Sequence, residues 1–399
     1  MSQVPILRLK KQEDRRLRAG HLWVYSNEVD VKATPLTGFE AGQQVCVENA
    51  QGRIMGQAYI NPNTLISARL FSSKANACLD TAMLTQRIQR ALALRDMAFD
   101  KPFYRLVFGE SDALPGLVVD RFDQTLVVQI NTVGMDVITD EIMAALQAVV
   151  KPTSILLRND SAAREQEKLE RYVKTALGDV AEQVELEENG TRFMVPLASG
   201  QKTGWYYDHR QNRQRVMHYA KGKRVLDMFS YIGAWGVQAL QAGADEVVCS
   251  DTSATFLEQA GENADLNGHA ERFTGLAGDA FEVLKALREE DEKFDIVILD
   301  PPAFIKRRKD FKEGAQAYQR LNRLAMQVTT DGGMLVSASC SHHMPAAQLL
   351  DEVRKAGQKR ERFVQVMEAG HQGPDHPVHP AMRETEYLKA WFCRVSSQM

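Results

Sequence analysis

Val225-Leu226-Asp227-Met228-Phe229-Ser230-Tyr231-Ile232-Gly233-Ala234-Trp235-Gly236 reads as an apolar strand that ends on an acid, a tight turn, and the start of a helix. A second apolar run, Glu246-Val247-Val248-Cys249-Ser250, closes on Asp251, 24 residues after Asp227. Open α/β sheets lay nucleotide-like ligands over their strand ends with this unit. The glycines let the backbone come close, and the second acid accepts from a ribose diol.

The spacing separates two cofactors. A dinucleotide site carries Gly-x-Gly-x-x-Gly, with a helix N-terminus facing a pyrophosphate. Here only Gly233 and Gly236 are present, and Asp227 stands where a pyrophosphate would be repelled. An acid there suits a cation such as the ammonium and sulfonium of S-adenosyl-L-methionine. The stretch resembles the first motif of the class I methyltransferases. Read alone, it also fits an ordinary strand-to-helix turn.

Working outward, apolar runs at 224–227, 246–251, 272–277, 294–300, 333–339, 363–368 and 386–395 alternate with helical patterns. Seven strands with helices between most of them predict a doubly wound α/β sheet. A hairpin turning near Asn189-Gly190 leads into it. Residues 1–73 carry short apolar runs separated by Gly and Asn-Pro turns, which predicts a small β-barrel with one basic helix at its start. Residues 74–187 predict an α+β middle domain with a mostly antiparallel sheet, helices over 79–100 and 135–150, and a charged helical connector over 165–177. The third domain then spans 188–399.

Composition excludes several classes. No apolar run reaches the length of a membrane span, and residues 1–10 lack a signal-peptide core. The five cysteines, Cys46, Cys78, Cys249, Cys340 and Cys393, are scattered, with no Cys-x-x-Cys pair. Neither a zinc site nor a disulfide framework is indicated, and a reducing cytoplasm fits. Net charge is −3, yet residues 1–73 hold nine basic side chains against six acids. Lys306-Arg307-Arg308-Lys309 forms a second basic cluster. Such patches on a neutral chain fit a nucleic-acid partner, and they equally fit a solvated face.

The residues with chemistry sit at strand ends. Asp300-Pro301-Pro302-Ala303-Phe304 ends the fourth strand, where two prolines force a rigid extended turn. Phe304 is placed to stack on a base. Asp279, before a helical pattern, suits either the exocyclic amine of adenine or a helix N-cap. Cys340 ends the fifth strand, where it is either a nucleophile or a small buried hydrophobe. Carbon 5 of a pyrimidine is a poor nucleophile. A thiolate added at carbon 6 makes it enamine-like, and a base then removes the carbon-5 proton. Methylation of an exocyclic nitrogen needs no thiolate, so Cys340 divides the two readings. Asp300 serves either to hold the ring edge or to move a proton. His342 and His343 are candidate bases or polar loop residues. The histidines of 371–379 lie in a Pro-broken loop, and no metal is expected there.

With these motifs together, the chain resembles the bacterial 23S rRNA cytosine-C5 methyltransferases of the RlmI type over essentially its whole length. The resemblance is carried by Gly109-Glu110-Ser111-Asp112-Ala113-Leu114-Pro115-Gly116-Leu117-Val118-Val119-Asp120-Arg121, Gly200-Gln201-Lys202-Thr203-Gly204-Trp205, the Asp227 motif, Asp300-Pro301-Pro302 and Ser339-Cys340-Ser341. It implies an N-terminal RNA-binding PUA barrel, a middle domain like that of RNA uridine-C5 methyltransferases, and a class I catalytic domain. It also implies that Gln201, Asp227, Phe229, Gly233, Asp251, Asp279 and Asp300 line an S-adenosyl-L-methionine site, with Cys340 as nucleophile. Many RNA cytosine-C5 enzymes carry a second cysteine in the Asp-Pro motif. This chain has Ala303 there, so product release must proceed differently.

The leading expectation is methylation of carbon 5 of a cytosine in 23S ribosomal RNA, on naked RNA or a subunit precursor, through a transient Cys340–carbon 6 adduct. The base is flipped or presented unpaired. Lys10, Lys11, Arg15, Arg16, Arg18, Phe304 and Lys306, Arg307, Arg308 and Lys309 are expected to touch the RNA. The alternatives are an RNA guanine-N2 or adenine methyltransferase, and a non-catalytic RNA-binding ribosome assembly factor.

Overall fold

A computed structural model describes residues 4–397. The chain forms two compact units. The first comprises 1–184 with the returning segments 196–207 and 374–385, and the second comprises 185–195, 208–373 and 386–399.

The second unit is built on a seven-stranded sheet. Its strands are β1 (Arg224–Met228), β2 (Glu246–Asp251), β3 (Phe273–Ala277), β4 (Phe294–Leu299), β5 (Thr329–Ser339), β6 (Arg362–His371) and β7 (Lys389–Ser397). The order is β3-β2-β1-β4-β5-β7-β6, parallel except for β7, which lies antiparallel to both β5 and β6. The central strands are covered on both faces. Val225, Leu226, Ile296, Val297, Ile298 and Leu299 are therefore all buried, which explains their unbroken apolar runs. Strand order reverses between β1 and β4, with Asp227 opposite Ile298 and Met228 opposite Leu299. The loops that leave these two strands part at the carboxyl rim, the usual ligand position in such sheets.

A hairpin, Gln183–Glu188 with Thr191–Pro196, precedes the sheet. Asn189 (φ 51°) and Gly190 (φ 75°) make the left-handed two-residue turn that its sequence predicts. Buried Glu188 takes Arg213 Nε (2.6 Å) and Gln238 Nε2 (2.9 Å), tying the hairpin to the helices Arg210–Ala220 and Ala234–Gln241.

In the first unit, the strands Ile6–Arg8, Trp23–Tyr25, Gln44–Glu48, Ile54–Ile60 and Ile66–Ser72 pair in the order first, third, fourth, fifth, second. An antiparallel bridge between Leu9 and Val29 joins the two edges around a core of Leu7, Val24, Val45, Val47, Ile60 and Leu70. The expected basic helix is a single turn, Arg15–Arg18.

The adjoining sheet orders Tyr172–Leu177, Ser154–Asn159, Thr125–Ile130, Leu117–Phe122 and Phe103–Phe108, with one parallel pair, Thr125–Ile130 with Ser154–Asn159. Two expectations are corrected here. Residues 172–177 form an edge strand rather than part of a helical connector; four of its six residues are exposed, so charge is tolerated along it. The helix expected over 135–150 is two helices, Val133–Asp136 and Thr139–Val150.

Barrel and sheet interlock. Tyr59 donates to Pro115 O (2.7 Å), and Trp23 Nε1 donates to Glu110 (2.8 Å). Gly134 lies so close to the Tyr59 ring that a Cβ would stand 2.0 Å from it. The 109–121 motif thus has a structural use in this unit. No helix among the described residues is long and apolar enough to cross a membrane.

Candidate active site

The turn after β1 is held in an unusual backbone path. Phe229 (φ 64°), Tyr231 (φ 52°) and Gly233 (φ 82°) are all left-handed, and bulky side chains rarely adopt that region. Neighbouring groups enforce it. Ser230 N donates to Ser250 O, Tyr231 N to Asp251 Oδ2, and Gly233 N to Ser230 O, each at 2.9–3.0 Å. Asp251 also accepts from Ser253 N through Oδ1 (3.0 Å). It therefore shapes the rim as well as standing on it.

Asp227 is fully buried beneath this turn. Its Oδ2 accepts from Gly236 N (3.0 Å), and its Oδ1 meets no donor among the described residues. Burial pushes its carboxyl up to about 8, the Gly236 bond opposes that, and the charges of Asp300 and Asp251 add to it. Gly236 has a different use from the one its motif suggests. A Cβ there would lie 2.6 Å from Cys249 Sγ and 2.8 Å from Val247, so this glycine lets the helix pack on β2 rather than letting a ligand approach. Asp279 caps the helix Ala280–Glu289, accepting from Phe281 N (2.9 Å) and Glu282 N (3.3 Å) through Oδ1.

Asp300 follows β4. Its Oδ2 accepts from Trp235 Nε1 (3.2 Å), and His209 Nε2 stands 3.1 Å from Oδ1. Asn212, whose Oδ1 accepts from Arg215, directs its Nδ2 at His209 Nδ1 (3.2 Å). This places the imidazole proton on Nε2, facing the carboxylate. Burial pushes the Asp300 carboxyl up, but His209 and the indole overcome it, against the charge of Asp208, and hold it below the ordinary value. Asp300 is thus a fixed anion rather than a poised base. Sequence reasoning missed His209, Asn212 and Trp235. Trp235 stood inside the quoted stretch, but nothing in its spacing pointed toward Asp300.

Cys340 follows directly after β5. Ser339 and Ser341 on either side are buried, and both meet the Tyr318 hydroxyl (2.8 and 3.0 Å) from the helix Phe311–Val328. With its neighbours turned inward, Cys340 lies on the opposite, partly exposed side. Cys46, Cys249 and Cys393 are buried, and burial pushes each thiol up, Cys393 to about 12. Phe304 packs against Tyr318, with ring centroids 4.8 Å apart. The rim therefore brings Asp227, Phe229, Gly233, Asp251, Asp300 and Cys340 to the ends of neighbouring strands.

The 371–379 histidines have structural partners. His371 Nδ1 lies 2.7 Å from Gln372 O, and His376 Nδ1 lies 3.0 Å from Asp375 Oδ1. No cluster of His, Cys, Asp or Glu suited to a metal occurs among the described residues.

Residues 154–390 match the family of S-adenosylmethionine-dependent methyltransferases, and residues 7–73 match the PUA-like domain. Two proteins named ribosomal RNA large subunit methyltransferase I are similar to the chain over nearly its full length. That of Erwinia tasmaniensis is 35% identical over 97% of this chain and 98% of its own, and that of Aliivibrio fischeri is 34% identical over the same shares. The chain belongs to this family of S-adenosylmethionine-dependent methyltransferases. The fold agrees with a crystal structure of SMU.776, a candidate methyltransferase complexed with SAH, at TM-score 0.85 and 21% identity, covering 98% of this chain and all of that one.

The rim suits the family's cofactor. Asp227, with an unpartnered Oδ1 and under the charges of Asp300 and Asp251, makes this an acidic rim that suits a ligand bearing an ammonium and a sulfonium.

In the first unit, Gln201 Oε1 accepts from Tyr206 (2.6 Å). Among the basic residues there, Arg16 pairs with Glu28 (2.5 Å), Arg18 with Asp14 (3.2 Å), and Lys10 donates to Asn27 O (2.7 Å). Arg15 reaches Gln12 (3.4 Å), and Lys11 is exposed. In the second unit, Lys306, Arg307, Arg308 and Lys309 are exposed, and no ion pair among the described residues engages them.

Proposed function

We propose that this methyltransferase modifies carbon 5 of a cytosine in 23S ribosomal RNA, with Cys340 as the nucleophile. The observation that carries the reading is a cysteine turned to the partly exposed side of the sheet's carboxyl rim by two serines pinned on Tyr318. An amine methyltransferase needs no thiol in that place. The PUA-like match and the names of the full-length relatives support a ribosomal RNA substrate, and a cytoplasmic location fits such a substrate.

Asp227, Phe229, Gly233, Asp251 and Asp279 would hold the cofactor, with Asp300 at its edge. When bound, S-adenosyl-L-methionine supplies an electrophilic methyl group to carbon 5. The protein's own part is to present the Cys340 thiolate to carbon 6 and to hold the ring edge on ionised Asp300. Nucleoside mass spectrometry after reaction with large-subunit RNA, bare and in subunit particles, tests this. 5-Methylcytidine is expected, and a methylated purine would replace the reading with amine methylation.

Lys306, Arg307, Arg308 and Lys309 are proposed to contact phosphate, as are Lys10, Lys11, Arg15, Arg16 and Arg18, with Phe304 offering a ring to a base. Alanine at all four of 306–309 is expected to weaken RNA binding. It should also reduce the slope of log affinity against log salt by about 0.7 for each phosphate no longer neutralised. An unchanged slope in a salt titration would mark these as ordinary surface charges.

A further inference from the structure

Lys389 begins β7 directly opposite Ser339, the residue before Cys340. Its Nζ donates to Ser341 O (2.5 Å), the carbonyl just after Cys340, and to Tyr387 O (2.8 Å). An ammonium has three donors. Two are directed at these carbonyls, which clamp the head group alongside the thiol-bearing turn, and one remains. We propose, on the covalent reading above, that Lys389 is the positioning residue for Cys340, keeping it as a thiolate beside a fixed ammonium.

The thiol proton leaves to solvent, and the sulfur electron pair forms the bond to carbon 6 as the carbon 5–carbon 6 π pair shifts to carbon 5, which takes the methyl while the donor keeps its carbon–sulfur pair. A base then takes the carbon 5 proton, the released pair restores the carbon 5–carbon 6 double bond, and the sulfur–carbon 6 electrons return to sulfur. The thiolate is restored next to the same ammonium, and Lys389 keeps its own proton throughout.

The surroundings agree. Burial lowers the Lys389 amine to about 8, while the Cys340 and Glu386 charges raise it, so the cation persists at pH 7. From the helix Phe311–Val328, the Tyr318 hydroxyl is pushed up mainly by burial, with Cys340 contributing, so it stays protonated. His342 packs its ring on Tyr387 (5.5 Å), whose hydroxyl donates to Asp208 (2.5 Å). A thiol next to a fixed cation ionises more readily than an ordinary one.

The test is the pH profile of Cys340 alkylation by iodoacetamide on the full chain, read peptide by peptide, with exposed Cys78 as internal reference. Lys389→Met is expected to raise the midpoint by about one unit, slowing alkylation about tenfold relative to the native chain at pH values below both midpoints. Lys389→Arg, which keeps a cation, is expected to retain the native midpoint. A Met profile superimposable on the native one overturns the proposal, as does an Arg variant with a midpoint raised as far as expected for Met. Should the Met variant not fold, Lys389→Gln and the Arg comparison decide. An inactive Cys340→Ala with an unmoved Met profile removes only the role of Lys389; a fully active Cys340→Ala removes the covalent reading itself.

Discussion

Cys340→Ala is expected to lower methyl transfer by at least about a thousandfold while leaving S-adenosyl-L-methionine binding and thermal stability nearly unchanged. The neighbours explain why the two effects separate. Ser339, Ser341 and Tyr318 form a hydrogen-bonded set that stays intact when the thiol is removed, because none of these bonds uses the sulfur. The side chain is partly exposed, so alanine leaves no sealed cavity and little stability is lost. Carbon 5 of the pyrimidine, by contrast, loses the only step that makes it electron-rich. Cys340→Ser keeps the shape but offers an alkoxide far harder to form, so it should be nearly as inactive. Radiolabelled methyl incorporation measured beside cofactor calorimetry checks both halves. An alanine variant with full activity would point to a nitrogen target.

Much of this architecture was legible because central parallel strands must be apolar on both faces. The runs at 225–226, 247–249 and 296–299 announce themselves, and acids at their ends stand out against them. Where the pattern is local, strand ends were legible too: Asp227, Asp251, Asp300 and Cys340 all stand at one rim of the sheet. What was hidden depends on distance in sequence. His209 meets Asp300 across 91 residues, Tyr318 meets Ser339 across 21, and Lys389 meets Ser341 across 48, with no periodicity linking any pair. The strand Tyr172–Leu177 was misread because an edge strand tolerates charge, which mimics a solvated helix. Gly236 shows a subtler limit. Its place in the motif was correct, but the reason for it, the close approach of Cys249 and Val247, belongs to packing that no local pattern records.

Asp227→Asn should move cofactor affinity and apoprotein stability in opposite directions. Burial holds the Asp227 carboxyl at about 8, far above its value in an unfolded chain. A carboxyl raised on folding binds more protons in the native state than in the unfolded state. Its contribution is therefore most favourable at low pH and declines as pH rises from about 4 to about 8. Asparagine removes that penalty and can still accept from Gly236 N, so the apoprotein melting temperature at pH 8 is expected to rise by a few degrees. A bound cation reverses the balance, because ionised Asp227 then faces positive charge. Native affinity for S-adenosyl-L-methionine should therefore tighten as pH rises from 6 toward 8, by up to about tenfold per unit. The ligand's own α-amine, with an ordinary pKa of about 8, limits the gain above that. The asparagine variant should bind about tenfold or more weakly at pH 8 and show a much flatter dependence below it. Calorimetry and thermal melts at pH 6, 7 and 8 measure all four quantities. A variant that binds with native affinity and native pH slope would assign Asp227 to shaping the Phe229–Gly233 turn alone, and the pocket's preference for a cation would then rest on Asp251 and Asp300.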